Sequence, residues 1–174
     1  MNLQPILKNE LVRIRPLDAR DREELCQVAK DPKIWEQHPC KRNERAEFDT
    51  FFEESITSKG ALTIIDNQAD KIIGSSRYKR IDDFHNGIEI GWTYLSRDYW
   101  GGLYNASVKH LMMRHAFQYV DHVVYYVHRD NIRSQKAVQK LGGILINATE
   151  QAVLSNSAAD VLSFVVKKEA YQKP

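Results

Sequence analysis

Apolar and polar residues alternate along residues 11–17 (LVRIRPL), the pattern of a half-buried strand. Asp18 or Asp21 then stands where a helix running to about Lys30 would be capped, and a second helical stretch covers residues 46–59. ALTIID (61–66) and KIIGSSRYKRI (71–81) read as strands parted by NQAD, and GIEIGWTYL (87–95) follows the turn-forming DDFHN, which predicts an antiparallel meander. From Tyr104 the period becomes helical, with Val108, Leu111, Met112, Ala116 and Tyr119 on one stripe. HVVYYV (122–127) is apolar, β-branched and aromatic throughout, which suits a central strand. A short helix over 132–141 is closed by Gly142 and Gly143, and ILINA and VLSFVV supply two last strands. The expected order is strand, two helices, three strands, helix, strand, helix, two strands. It predicts one α/β (α+β) domain over residues 1–174, with a mixed, mostly antiparallel sheet of about seven strands and about four helices.

Composition narrows the class without changing that picture. A chain of 174 residues, 43% hydrophobic and 28% charged, is long enough for one sizeable core and short for two. A net charge of +2 argues against a nucleic-acid partner. Cys26 and Cys40 are too few for a disulfide framework or a cysteine-rich zinc site. No N-terminal run has the apolar length of a signal peptide or membrane span, so the expectation is a reducing, cytoplasmic setting with no membrane partner.

The segment DYWGGLYNASVKHLMM joins the strand at 87–95 to the helix at Tyr104, and the strand at His122 completes a βαβ crossover. Gly101 and Gly102 then lie where free N–H groups and the positive end of a helix dipole meet, a natural seat for a phosphate. Neither a Walker A pattern nor a dinucleotide fingerprint is present, and a tight turn would also explain the glycines. Asn131 reads as a helix cap, and Ser134, with Ala137, Val138 and Leu141, falls on the inward stripe of its helix. Strand alternation puts Glu89, Gly91, Thr93 and Leu95 on one face and Ile88, Ile90, Trp92 and Tyr94 on the other. A carboxylate among small and apolar positions would be raised in pKa toward general-base use; alternatively Glu89 pairs with Arg77 or Lys79. His85 could serve instead. The other histidines have no metal-ligand spacing, so no metal is expected.

EIGWTYLSRDYWGG, a helix, a strand and then HRDNIRSQKAVQKLGG resemble the acetyl-CoA-binding core of the GNAT superfamily of N-acetyltransferases, most of all the RimJ/RimL type that acetylates ribosomal-protein N-termini. The likeness runs from LVRIRPL through the final strand. It implies that the strand at 87–95 splays from the strand at His122, with the pantetheine arm along Trp92, Thr93, Tyr94 and Leu95. It also implies that the loop from Arg97 through Trp100, Gly101, Gly102, Leu103 and Tyr104 to Asn105 wraps the pyrophosphate. Leu103 stands where the family has glycine, Ser107 replaces a frequent glutamate, and Val138 takes the place of a tyrosine acid. By the same resemblance Asn131 contacts the pantetheine arm and the Ser134 hydroxyl reaches the sulfur.

The implied reaction is direct attack of a primary amine, a protein N-terminus or a small molecule, on acetyl-CoA. Glu89 would act as base, an N–H near Trp92 or Thr93 would polarise the carbonyl, and Ser134 or water would be the acid. No acyl-enzyme is needed. The segment 34–52, with Trp35, His38 and Phe48, should flank the acceptor cleft, although its aromatics would serve equally as core. A monomer or homodimer is expected. The competing reading is a catalytically silent acyl-CoA-binding or regulatory domain.

Overall fold

A computed structural model describes residues 1–81, 86–146 and 160–171. Its eight strands are β1 (Leu7–Lys8), β2 (Val12–Pro16), β3 (Ala61–Asp66), β4 (Lys71–Ile81), β5 (Gly87–Leu95), β6 (His122–His128), β7 (Ile144–Leu145) and β8 (Val161–Lys167). The helices are α1 (Arg22–Ala29), α2 (Arg45–Thr57), α3 (Tyr104–Ala116) and α4 (Ile132–Lys140). All strands join one sheet in the order β1-β2-β3-β4-β5-β6-β8-β7, antiparallel except between β5 and β6.

The eighth strand, β1, has two residues, too few to show an alternation. Of the ILINA run, Ile144 and Leu145 form β7, while residues 147–148 lie outside those described. Asp18, not Asp21, is the cap. It accepts from the Arg20 N–H at 2.9 Å while the Asp21 carboxylate accepts from the Asp18 N–H at 3.0 Å, so a short 3-10 turn, Ala19–Asp21, precedes α1. The apolar stripe of α3 ends at Ala116, and Tyr119 lies beyond the helix, half exposed.

Two apolar clusters sandwich the sheet. Val108, Leu111 and Met112 of α3 pack on Ile14, Leu62, Ile64, Ile88, Ile90 and Leu95. Leu25 and Cys26 of α1 and Phe48, Phe51 and Phe52 of α2 pack with Trp35, Ala61 and Tyr94. Burying such side chains contributes about 1.5–3 kcal/mol each before entropy is counted.

β5 does not alternate evenly along its length. Arg77 is opposite Gly91 but Ser75 is opposite Tyr94, so two residues of β5, Trp92 and Thr93, face one of β4. The backbone makes room by turning Trp92 to φ +52, a left-handed conformation that costs a bulky residue about 1–3 kcal/mol. This overturns the expected set of faces. Ile88, Ile90, Thr93 and Leu95 look toward α3, while Glu89, Gly91, Trp92 and Tyr94 look toward α1 and α2. Period-2 counting fails past an inserted residue, and no local signal in GIEIGWTYL marks the insertion.

Candidate functional site

β5 and β6 pair only at Gly87 with His122, Ile88 with Val123 and Glu89 with Val124. Beyond that point the strands part, leaving the edge of β5 from Ile90 to Leu95 unpaired to β6, as the resemblance implies. Because the two strands are parallel, the helices that follow them start at the same end of the sheet. The N-termini of α3 and α4 therefore flank the mouth of this fork.

The loop between β5 and α3 is anchored at three places. The Tyr99 and Tyr104 hydroxyls donate to Asp66 at 3.4 and 3.0 Å, with their rings 4.7 Å apart edge to face. Trp100 Nε1 donates to the Leu95 carbonyl at 3.0 Å, and the Arg133 guanidinium from α4 lies 4.0 Å over the Trp100 ring. Between the anchors the glycines are bare. Gly101 holds φ +70, and a Cβ built on Gly101 or Gly102 would meet nothing within 4 Å. Leu103 sits at φ −82 with its side chain 71% exposed, so a leucine in the family's glycine place strains nothing and leaves the loop open. Among the described residues no hydrogen bond ends on the N–H groups of Gly101, Gly102 or Leu103. The Arg97 Nε is bonded to Asp31 at 2.5 Å, which ties this side chain to the segment after α1.

At the start of α4 the Asn131 side chain accepts from the Ser134 N–H at 3.1 Å, so the cap is real and its amide nitrogen remains available to a ligand. Ser134 is half-buried. Val138 is buried in the cluster under α3 and carries no proton to give. Arg133, which sequence reasoning passed over, also donates its guanidinium to the Ile34 carbonyl at 2.8 Å and its backbone N–H to Gln37 Oε1 at 3.0 Å, fixing α4 against residues 34–37.

Glu89 is 5% exposed, and burial pushes its carboxyl up to about 7 against the pull of Lys79, Arg77 and Lys109. Neither Arg77 nor Lys79 forms an ion pair with it: Arg77 turns to Ser55 Oγ and lies 4.5 Å over the Trp92 ring. Lys109 is 6% exposed on α3 and donates to Thr93 Oγ1 at 2.5 Å, which in turn lies 2.7 Å from Ser76 Oγ. The alternative base, His85, lies outside the described residues.

On the α2 side a groove of about 350 Å³ is lined by Arg42, Glu44, Glu47, Phe51 and Glu54. Its floor residue Phe51 packs edge-on against Tyr94 at 6.1 Å and under Arg42 at 4.1 Å, so the groove adjoins the face that carries Glu89. Trp35 and Phe48 are core residues here; His38, half-buried, is held down to about 4 by burial and by Arg42. Among the described residues no group of His, Cys, Asp or Glu could hold a metal ion, and no helix is long and apolar enough to cross a membrane.

Residues 12–144 match the family model described as the acetyltransferase (GNAT) domain. No curated protein matches the chain. Among solved structures, the chain is similar to a GCN5-related N-acetyltransferase from Brucella melitensis at 21% identity and TM-score 0.80, covering 96% of this chain and 80% of that one. A probable GNAT-family acetyltransferase from Chromobacterium violaceum superposes at TM-score 0.79 with 20% identity, over 96% and 88% of the two chains. FdhC, a nucleotide-linked sugar GNAT in its apo form, gives TM-score 0.72 with 12% identity, over 97% and 93%.

Proposed function

The chain belongs to the GNAT family of acetyltransferases and is an acyltransferase, and from that premise we propose that it moves the acetyl group of acetyl-CoA to a primary amine by direct attack, without an acyl-enzyme. The observation that carries this reading is the continuity of the fork with the open glycine loop. An unpaired strand edge can take the amide-bearing pantetheine arm, and it leads straight to bare N–H groups at a helix N-terminus that suit the pyrophosphate. Asn131 lines the other wall.

The bulge supports the chemistry. Trp92 and Thr93 have no one-to-one partner on β4, with Trp92 at a positive φ, and the N–H of one of them is the proposed donor to the thioester oxygen. Glu89, on the α2 face and near 7, is the proposed base for an amine that reaches it along the groove, whose glutamates suit an acceptor arriving as an ammonium ion. Ser134 is the proposed hydrogen-bond donor to the sulfur. One structural relative is described as a nucleotide-linked sugar GNAT. We assign the acceptor here as a primary amine of the Rim kind, a protein N-terminal α-amine, or a small amine.

Acetyl-CoA should raise the melting temperature, and mass spectrometry of an extract incubated with protein and acetyl-CoA should reveal acetylated amines. No stabilisation by acetyl-CoA would overturn the reading. Stabilisation without turnover on any amine of a broad panel would instead support a silent acyl-CoA-binding domain.

A further inference from the structure

Lys109 stands on the sheet-facing side of α3, beside Val108, Leu111 and Met112, where an apolar side chain would pack without penalty. Its ammonium has three N–H donors, and the structure supplies one hydrogen bond, to Thr93, and the face of the Tyr125 ring 5.0 Å away. Among the described residues no carboxylate forms an ion pair with it. An ammonium buried with so little compensation destabilises the fold.

The position of the amine shows what it is aimed at. Thr93 belongs to β5 beyond Glu89, the last residue paired to β6, and Tyr125 is the first residue of β6 beyond Val124. Lys109 therefore touches both strands just past the point where they part, from the α3 side of the fork. The Tyr125 hydroxyl, buried with its residue only 3% exposed, also has no hydrogen-bond partner among the described residues. A spare ammonium donor thus stands on the α3 side of the gap in which the thioester end of the pantetheine arm would lie. α4 offers that gap Ser134, which is neutral throughout, and the apolar Val138.

We propose that Lys109 is the acid of the transfer reaction, stabilising and then protonating the sulfur of coenzyme A; the role rests on the acetyl-CoA reading above. The acceptor nitrogen forms a bond to the thioester carbon, and the C–S bond breaks with its electron pair passing to sulfur. Lys109 gives the sulfur a proton and becomes a neutral amine; of the two protons an ammonium acceptor sheds, one passes through Glu89 to solvent before the attack and the other goes to Glu89 after it. Passage of one proton from Glu89 back to Lys109, through solvent, restores both groups.

The electrostatics fit this cycle. Burial holds the Lys109 ammonium down to about 7, with Glu89 pulling it back up. Tyr125, whose ring the ammonium faces, and Tyr78 on β4 beside Tyr125 are both pushed up by burial and so neutral; β1 and β2 present Leu7, Val12 and Ile14 to α3.

The test titrates the thiol of bound coenzyme A by the ultraviolet absorbance of its thiolate, which needs no acceptor. In the parent the bound thiol and Lys109 should titrate as a coupled pair, the thiolate appearing about one pK unit below that of free coenzyme A because thiolate and ammonium stabilise each other. In Lys109→Met the bound thiol should titrate at or above the free value, while acetyl-CoA still stabilises the fold and kcat for an amine falls about a hundredfold. Lys109→Arg, which keeps the charge but cannot release a proton, should retain the lowered thiol pKa and lose kcat. Identical thiol titrations in parent and Lys109→Met would overturn the proposal, and so would loss of acetyl-CoA binding in both variants, which would make Lys109 a binding residue. A parent that binds no coenzyme A at all would instead sink the acetyltransferase reading, and this proposal with it.

Discussion

Glu89 and Lys109 titrate against each other from opposite faces of β5, and their burial makes opposite demands on pH. Glu89 binds its proton more tightly folded than unfolded, so its contribution to stability falls as pH rises from about 4.5 to about 7 and stays lost above that. Lys109 binds its proton less tightly folded than unfolded. Its penalty is full below about pH 7 and disappears as pH rises toward 10.5. Lys109→Met should therefore melt above the parent, with the widest gap below pH 7, and calorimetry across pH reads this directly. Glu89→Gln should leave stability unchanged near pH 4 and raise it above pH 7, by about 3 kcal/mol at most. The same variant should keep acetyl-CoA binding and lose about 10²- to 10⁴-fold in kcat, a loss that shrinks at high pH as more acceptor is already neutral. A Glu89→Gln enzyme with the parental rate and pH profile would remove the carboxylate from the mechanism. For Ser134→Ala, with Lys109 as acid, the expected kcat loss is about tenfold, and apparent affinity for acetyl-CoA should barely change.

The loop and its anchors act as one element. Gly102 has room for a side chain and no positive φ, so Gly102→Asp should fold as the parent does while placing a charge where the pyrophosphate is expected. Thermal shift should show an unchanged melting temperature and loss of the acetyl-CoA increment, and an undiminished increment would move the phosphate site elsewhere. At the other end of the sheet, Asp21 is buried and takes two bonds from Arg15 at 2.7 Å and one from Thr63 at 2.7 Å. Asp21→Ala would strand these donors and should cost about 3–5 kcal/mol in denaturant unfolding. Elements bounded by clear turn signals were legible in the sequence: β3, β4 and β5 begin and end where their strand-like runs meet turn residues, and α3 opens at Tyr104. The bulge at Trp92 was not, because it arises from register with β4, a partner distant in sequence. It moved Thr93 to the α3 face, where Lys109 meets it, and no reading of one strand alone could join those two residues.

Across the whole molecule the sequence carried the glycine loop, the Asn131 cap and the candidate carboxylate, since each is a local arrangement of residue types. The role of the lysine at the fork was hidden. A polar residue on an apolar stripe looks like an ordinary interruption of the pattern until the opposing strands are seen to part. The fork has a mechanical consequence as well. β1 to β5 form one half of the sheet and β6 to β8 the other, and among the described residues of the sheet only the short parallel ladder from Gly87 to Glu89 stitches the halves together. A ligand laid along the unpaired edges would serve as the missing strand, giving the amides that point into the gap their partners. In amide hydrogen exchange the fork-facing amides between Ile90 and Leu95, and those of β6 beyond Val124 that do not bond β8, should exchange quickly in the free protein. They should slow together when coenzyme A binds, while the β3–β4 ladder stays protected throughout.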